Sequence, residues 1–232
     1  MKKVAIIQSN YIPWKGYFDI IHDSELFIFH DDLQYTKDDW RNRNKIKTST
    51  GLRWLTIPVG RNEHRLICDV EITDIKWQRK HYDILRQTYF NAPFFKLYET
   101  FLREIYLEKK WNNLSELNQY LIKTISRDFL GIKTEFMDSR SFIVNGVKHE
   151  KLLNLVIAAG TQVYVSGPAA KHYIIEKDYE DAGIQIIWKD YTGYPEYPQS
   201  FDNFCHYVST LDLLFYTGNN APYYIWGWRD VL

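Results

Sequence analysis

Two short apolar runs, each broken off by a burst of polar residues, constrain the fold of this chain most. Val4-Ala5-Ile6-Ile7 stops at Gln8-Ser9-Asn10-Tyr11-Ile12-Pro13-Trp14-Lys15-Gly16-Tyr17, and Leu26 to Phe29 stops at Asp31-Asp32-Leu33-Gln34-Tyr35. Continuous runs this short read as strands buried on both faces, and residues 16–23 between them put Phe18, Ile20 and Ile21 on one side of a helix. Strand, helix, strand makes a βαβ unit, which requires a parallel sheet with helices over its faces.

A second unit follows the same grammar. An amphipathic helix over 149–159 ends at Gly160, Gln162 to Val165 is a strand, Ser166-Gly167-Pro168 a turn, Ala169 to Glu176 a helix and Ile184 to Trp188 a strand. This sets Ser166 and Gly167 outside the carboxyl end of a strand and at a helix N-terminus, where open α/β sheets bind anionic ligands. The expected fold is α/β and Rossmann-like: a mixed, mostly parallel sheet flanked by helices, with a basic β-hairpin insertion and a helical block.

The hairpin is read from Trp40 to Val59. Arg41, Arg43, Lys45 and Lys47 alternate, so a strand there turns all four cations to one face and Asn42, Asn44 and Ile46 to the other. Thr48 to Gly51 is the turn and Trp54 to Val59 the return strand. A solvated face charged for solubility is the competing interpretation. Leu66, Cys68, Val70 and Ile72 alternate as in a half-buried strand over 66–72. The helical block, 76–130, contains helices over 76–89 and 94–108 and a third opened by an Asn113-x-x-Glu116 box and stopped by Gly131; it covers the sheet and carries no evident chemistry. A last helix runs from a Ser209 cap, with Asp212 as its partner, to Gly218. Residues 1–218 thus form one domain, and the aromatic tail 219–232 docks on it or on a partner subunit, with a homodimer an allowed assembly.

Composition narrows function. With 29 basic and 29 acidic residues, no global field draws the chain to nucleic acid or anionic lipid. The opening apolar run is too short for a signal peptide, no stretch approaches the ~20 apolar residues of a membrane span, and Cys68 and Cys205 are too far apart in sequence for a CxxC pair. A cytoplasmic protein without membrane insertion is expected. Tyr, Phe and Trp make up 17% of the residues, and their half-polar rings suit pockets as well as cores.

Gln8 and Tyr11 are candidate ligand contacts, whereas Trp14 and Tyr17 serve equally well as core staples. There is no GxGxxG or GxxxxGK[ST] pattern, and no HxxxH, CxxC or DxD cluster, so neither a bound dinucleotide nor a metal is expected. Asp31-Asp32 suits a base, a cation anchor or ion pairs with Arg41 or Arg43. Of the histidines, His64 in the loop 60–65 is the one suited to acid/base work.

The motifs Gln8-x-Asn10-Tyr11-x-Pro13-Trp14-x-Gly16-Tyr17-Phe18, Asp31-Asp32-x-Gln34-Tyr35 and Trp40-Arg41-Asn42-Arg43-Asn44-x-Ile46-Lys47 resemble the WbqC-like protein family. The likeness continues through Ser115-Glu116-Leu117-Asn118, Tyr164-x-Ser166-Gly167-Pro168, Tyr194-Pro195-x-Tyr197-Pro198-Gln199 and Leu211-Asp212-Leu213-Leu214-Phe215, up to Gly218. The chain departs from the family pattern at Ser9, at His149, around 200–206 and in the tail.

The resemblance implies a site built from Gln8, Asn10, Tyr11, Trp14, Asp32, Gln34, Tyr35, Arg41, Asn42, Arg43, Asn44, Ser166, Gly167 and Tyr173. It also implies a place in bacterial O-antigen or other surface-polysaccharide synthesis, with glycine transfer suggested for some members. The function expected on that basis is transfer of a glycyl or other acyl group to an amino sugar carried on a nucleotide. Arg41, Arg43 and Lys45 would hold phosphates, Asp32 or His64 would be the base, and Asn42, Asn44 or the Gly167 amide would stabilise the oxyanion. The acyl donor would be a co-substrate rather than a bound cofactor: a carrier-protein thioester, an aminoacyl-tRNA or an ATP-activated amino acid. Nucleotide-dependent carboxylate activation and a non-catalytic sugar-nucleotide binding module are the alternatives.

Overall fold

The computed structural model describes residues 2–201 and 203–231. In chain order, β1 (Lys3–Ile7), α1 (Lys15–His22) and β2 (Leu26–Phe29) are followed by a hairpin of β3 (Arg43–Thr48) and β4 (Gly51–Thr56). Helices α2 (Lys76–Tyr89), α3 (Phe95–Arg103) and α4 (Leu114–Thr124) form the helical block, and α3 and α4 each continue into a π-helical turn. Then come β5 (Glu135–Asp138), α5 (His149–Ala158), β6 (Val163–Ser166), α6 (Glu176–Asp181), β7 (Gln185–Trp188) and α7 (Thr210–Thr217).

The five-stranded sheet has the order β5-β2-β1-β6-β7, and each of its pairings is parallel. This is the doubly wound arrangement, in which the winding reverses between β1 and β6. Because strand side chains alternate, Val4, Ile6, Leu26 and Ile28 pack against Leu152, Leu155 and Val156 of α5, while Ala5, Phe27 and Phe29 face the larger core of α1, the helical block and α7. Burial on both faces is the physical reason for the unbroken apolar runs. The hairpin forms a separate antiparallel sheet whose register, Lys45 opposite Trp54 and Arg43 opposite Thr56, puts Arg43, Lys45 and Lys47 on one face; Arg41, expected on that face, precedes β3 and donates to the Asn10 and Gln8 side chains instead.

The structure revises several sequence expectations. Residues 66–72 are not a strand: Ile67–Asp69 is a 3-10 turn, pinned because Ile67 and Cys68 donate to the carbonyls of Leu33 and Asp31 at 2.9 Å, and Leu66 is exposed. The return strand of the hairpin is 51–56 rather than 54–59. After Gly167 only a 3-10 turn, Pro168–His172, forms; the Ile175 amide donates to His149 Nδ1 at 3.3 Å and the α-helix starts at Glu176. A long helix aiming its dipole at Ser166-Gly167 is therefore absent. Ser209 does cap α7, accepting from Leu211 N–H, but Asp212 does not reach back to it. Instead its buried carboxylate accepts from Tyr89 (2.8 Å), Tyr197 (2.7 Å) and Gln199 (2.7 Å), which binds α2, the 194–199 segment and α7 together.

The aromatic tail packs on its own domain. Trp226 stacks on His22 with centroids 4.0 Å apart, and Arg229 donates to both carboxylate oxygens of the fully buried Asp19. Cys68 and Cys205 are unbonded, and among the described residues no helix is long and apolar enough to cross a membrane.

Candidate functional site

The loop that ends β1 is held from three directions. Ser9 N–H donates to Asp31 Oδ1 at 2.7 Å, Tyr11 N–H donates to the Trp40 carbonyl at 3.0 Å, and Asn44 Nδ2 donates to the carbonyls of Ile12 (2.8 Å) and Tyr11 (3.2 Å). These bonds hold Ile12 at φ 37°, a left-handed conformation that a β-branched residue takes only under constraint. The strained loop turns Asn10, Pro13 and Trp14 into a slot of about 150 Å³ whose other walls are Trp40, Asn44 and Tyr207.

The slot is aromatic on its sides and polar at one end. Trp14 packs against Tyr191 (5.2 Å between centroids) and Tyr207 (5.5 Å). At the polar end Arg41 donates to the Asn10 side-chain oxygen and, at 3.4 Å, to Gln8 Oε1, while Asp39 lies 3.5 Å from the same guanidinium. With its oxygen taken, Asn10 keeps an amide NH₂ that makes no hydrogen bond among the described residues. At the rim, Trp40 and Trp54 lie 5.4 Å apart, with the Arg43 guanidinium 4.3 Å and Lys45 Nζ 4.8 Å from the Trp54 ring. Cations over a tryptophan face are held electrostatically; Lys45 Nζ makes no hydrogen bond among the described residues, whereas Arg43 also donates to the Asp38 carboxylate and carbonyl.

The two aspartates diverge, as adjacent residues leaving a strand must. Asp31, fully buried, accepts from Ser9 N–H, from Ser115 Oγ and from Gln119 Nε2 (3.3 Å). Asp32 accepts from Ser139 Oγ and from Lys151 Nζ at 2.6 Å. Burial opposes ionisation of Asp32, but the hydrogen bonds from Lys151 and Ser139 outweigh it, so the carboxyl titrates below its ordinary value. Neither aspartate pairs with Arg41 or Arg43, contrary to expectation; Arg43 pairs with Asp38 at 3.2 Å.

Gln8, Asn10, Trp14, Arg41, Arg43, Asn44 and Lys45 thus converge on the slot and its rim, whereas other candidates lie apart. Tyr11 is buried, its hydroxyl bonded to His81 Nδ1 (2.9 Å) and Tyr106 (2.6 Å). Tyr35 is buried beneath Arg65. Asn42 donates to the Ile57 carbonyl at 2.9 Å, and both Asn44 amide atoms serve backbone groups. Gln34 and His64 line a separate shallow depression with Arg65 and Asp69. Ser166 Oγ donates to the Tyr164 hydroxyl at 3.4 Å, a Cβ on Gly167 would lie 3.4 Å from the Tyr191 hydroxyl, and Tyr173 is exposed.

The helical block contributes more than cover. Asn118 Nδ2 donates to the Arg41 carbonyl at 2.8 Å, and with Ser115 and Gln119 it forms one polar face of α4 beneath the site. Spacings of three and four were the signal for these residues. Tyr207 had none, because it reaches the slot only through tertiary folding; its neighbour in sequence, His206, packs against Phe204 and Tyr194. Burial and the nearby Lys15 charge lower the His206 pKa, and its Nδ1 is buried without a partner. Lys15 lies in a Tyr194–Tyr197 aromatic box, where burial, partly offset by Asp19, lowers its pKa to about 8.

Residues 8–224 match the family model described as WbqC-like protein family, so the likeness reaches beyond Gly218 into the aromatic tail. A Mycobacterium tuberculosis protein called "Uncharacterized protein Rv1507c" is 46% identical over 228 residues, covering 97% of this chain and 98% of that protein. No solved structure matches.

Proposed function

The chain belongs to the WbqC-like protein family, and from that premise and the shape of the slot we propose that it transfers a glycyl or other acyl group to an amino sugar carried on a nucleotide, in bacterial surface-polysaccharide synthesis. The observation that carries this proposal is an aromatic slot, closed at one end by Asn10 and Arg41 and rimmed by Arg43 and Lys45, beside the carboxyl ends of the central strands. Aromatic walls suit the apolar face of a sugar ring, and guanidinium groups suit a diphosphate.

In the reaction the acceptor amine, freed of its ammonium proton, attacks the acyl carbonyl carbon. A C–N bond forms, the bond to the donor's leaving group breaks, and the amine's remaining surplus proton passes by way of a base to that leaving group. The free Asn10 NH₂ is our candidate to stabilise the oxyanion, with Asn44 as a positioning residue for the loop. Of the two bases expected from sequence, Asp32 is an ion-paired, weakly basic carboxylate, and His64 lies in the separate depression. His206, whose sequence neighbour Tyr207 walls the slot, is our candidate proton acceptor instead, and its lowered pKa keeps the ring neutral. Thermal-shift screening against amino-sugar nucleotides, followed by mass spectrometry for acylated product, tests the proposal. Stabilisation that is lost in Asn10→Ala and Trp14→Ala is expected. If no amino-sugar nucleotide shifts the melt, the acceptor assignment fails.

A further inference from the structure

A second charged feature lies across the hairpin from the slot. Between β4 and the first turns of α2 runs a cleft of about 410 Å³, lined by Arg53, Lys76 and Lys80 together with Trp54 and Trp77. Arg79 flanks it but is engaged with Asp83 at 3.0 Å, whereas Arg53, Lys76 and Lys80 have no carboxylate within 4.0 Å among the described residues. In a chain with equal numbers of acidic and basic residues, three cations against one carboxylate, Asp74, in the lining of one cleft are a local excess of positive charge.

We propose that this cleft binds the phosphate-rich nucleotide tail of a small acyl donor of the coenzyme A type, with its acyl end laid over the Trp54–Trp40 ridge into the slot. This rests on the acyl-transfer function proposed above. Continuity supports it: Trp54 lines the cleft, Trp40 lines the slot, and their rings are 5.4 Å apart. Size supports it too, because the cleft falls within the few-hundred-Å³ range of small-molecule sites. Three cations without an ion-pair partner match a 3′-phosphate and a diphosphate, and the exposed Trp54 indole offers a surface for the adenine, Trp77 being buried behind it in the core. An extended polyanion fits less well, because carboxylates interrupt the basic stretch: Asp74 within the cleft, accepting from Lys76 N–H at 2.9 Å, and Asp83 beside it.

The test is calorimetric titration of the full chain with desulfo-coenzyme A, 3′-dephospho-coenzyme A and bulk tRNA, in the wild type and in Arg53→Glu/Lys80→Glu. Desulfo-coenzyme A is expected to bind, with affinity reduced about tenfold or more in the variant and reduced also for the dephospho compound. Binding of amino-sugar nucleotides should stay within about twofold in the variant, since the sites are separate. Lys76→Gln serves as a milder second variant whose fold is checked by circular dichroism. No binding of desulfo-coenzyme A, or binding undiminished by either variant, overturns the proposal, as does binding of tRNA alone that the charge reversal abolishes. Binding of desulfo-coenzyme A through Arg53 and Lys80 in a chain that binds no sugar nucleotide supports the cleft and strikes the acceptor assignment instead.

Discussion

The Arg41 guanidinium donates to the side-chain oxygen of Asn10, joining the approach to the hairpin to the loop that ends β1. That bond fixes which end of the Asn10 amide faces the slot, and it sets a cation beside the Gln8 oxygen at the same point. Arg41→Ala should therefore weaken binding of an amino-sugar nucleotide, and Arg43→Ala should remove one phosphate contact, each by about 1–3 kcal/mol. Calorimetry on the two variants checks this; unchanged affinity in Arg43→Ala would leave that cation a solvated charge over Trp54.

Gly16 is required by the position of Trp14 rather than by its own backbone. A Cβ there would run into the Trp14 ring at Cζ2, well inside contact distance, and Trp14 is a slot wall. Gly16→Ala is expected to displace the indole, cost about 1–3 kcal/mol of stability and reduce ligand affinity together. Urea denaturation and titration on one preparation would show whether the two losses coincide.

His81 makes stability depend on acid. Burial lowers its pKa from 6.5 to about 3; a hydrogen bond to the Thr56 backbone opposes the shift, and the nearby Lys80 and Arg53 charges add to it. The unfolded chain then binds the extra proton between those values. Stability from this residue is complete above about pH 6.5 and falls as pH drops towards 3, by about 1.4 kcal/mol per unit once the unfolded imidazole is protonated. Melting temperatures measured from pH 7 to pH 4 should decline less steeply in His81→Gln than in the wild type.

Asp212 is a buried carboxylate whose pKa is raised, chiefly by desolvation, against the hydrogen bonds from Tyr197, Gln199 and Tyr89. Replacing it with alanine leaves the Tyr89 and Tyr197 hydroxyls without their acceptor, while Gln199 keeps the Tyr197 hydroxyl and the Cys205 carbonyl. Asp212→Ala should cost on the order of 3 kcal/mol, read from the urea midpoint. Tyr89→Phe, which deletes one donor and leaves the carboxylate its other two, should cost less.

The sequence by itself determined the sheet. The apolar runs at Val4–Ile7 and Leu26–Phe29 have to be buried on both faces, and a helix-length connection between them leaves parallel pairing as the outcome. The alternation of Arg43, Lys45 and Lys47 likewise set the charged face of the hairpin, and the family likeness gathered most of the residues that converge on the slot. Tertiary structure decided which polar side chains remain available. Tyr11, Asn42 and Asn44 stand in the same motifs as Asn10 and Arg41, yet the Tyr11 hydroxyl bonds His81, the Asn42 amide NH₂ donates to Ile57, and Asn44 holds the strained loop. It also brought in Asn118 from α4 and Tyr207 from a loop far along the chain. A hydrogen bond across a hundred residues depends on where two backbones meet, and local periodicity carries no record of that meeting.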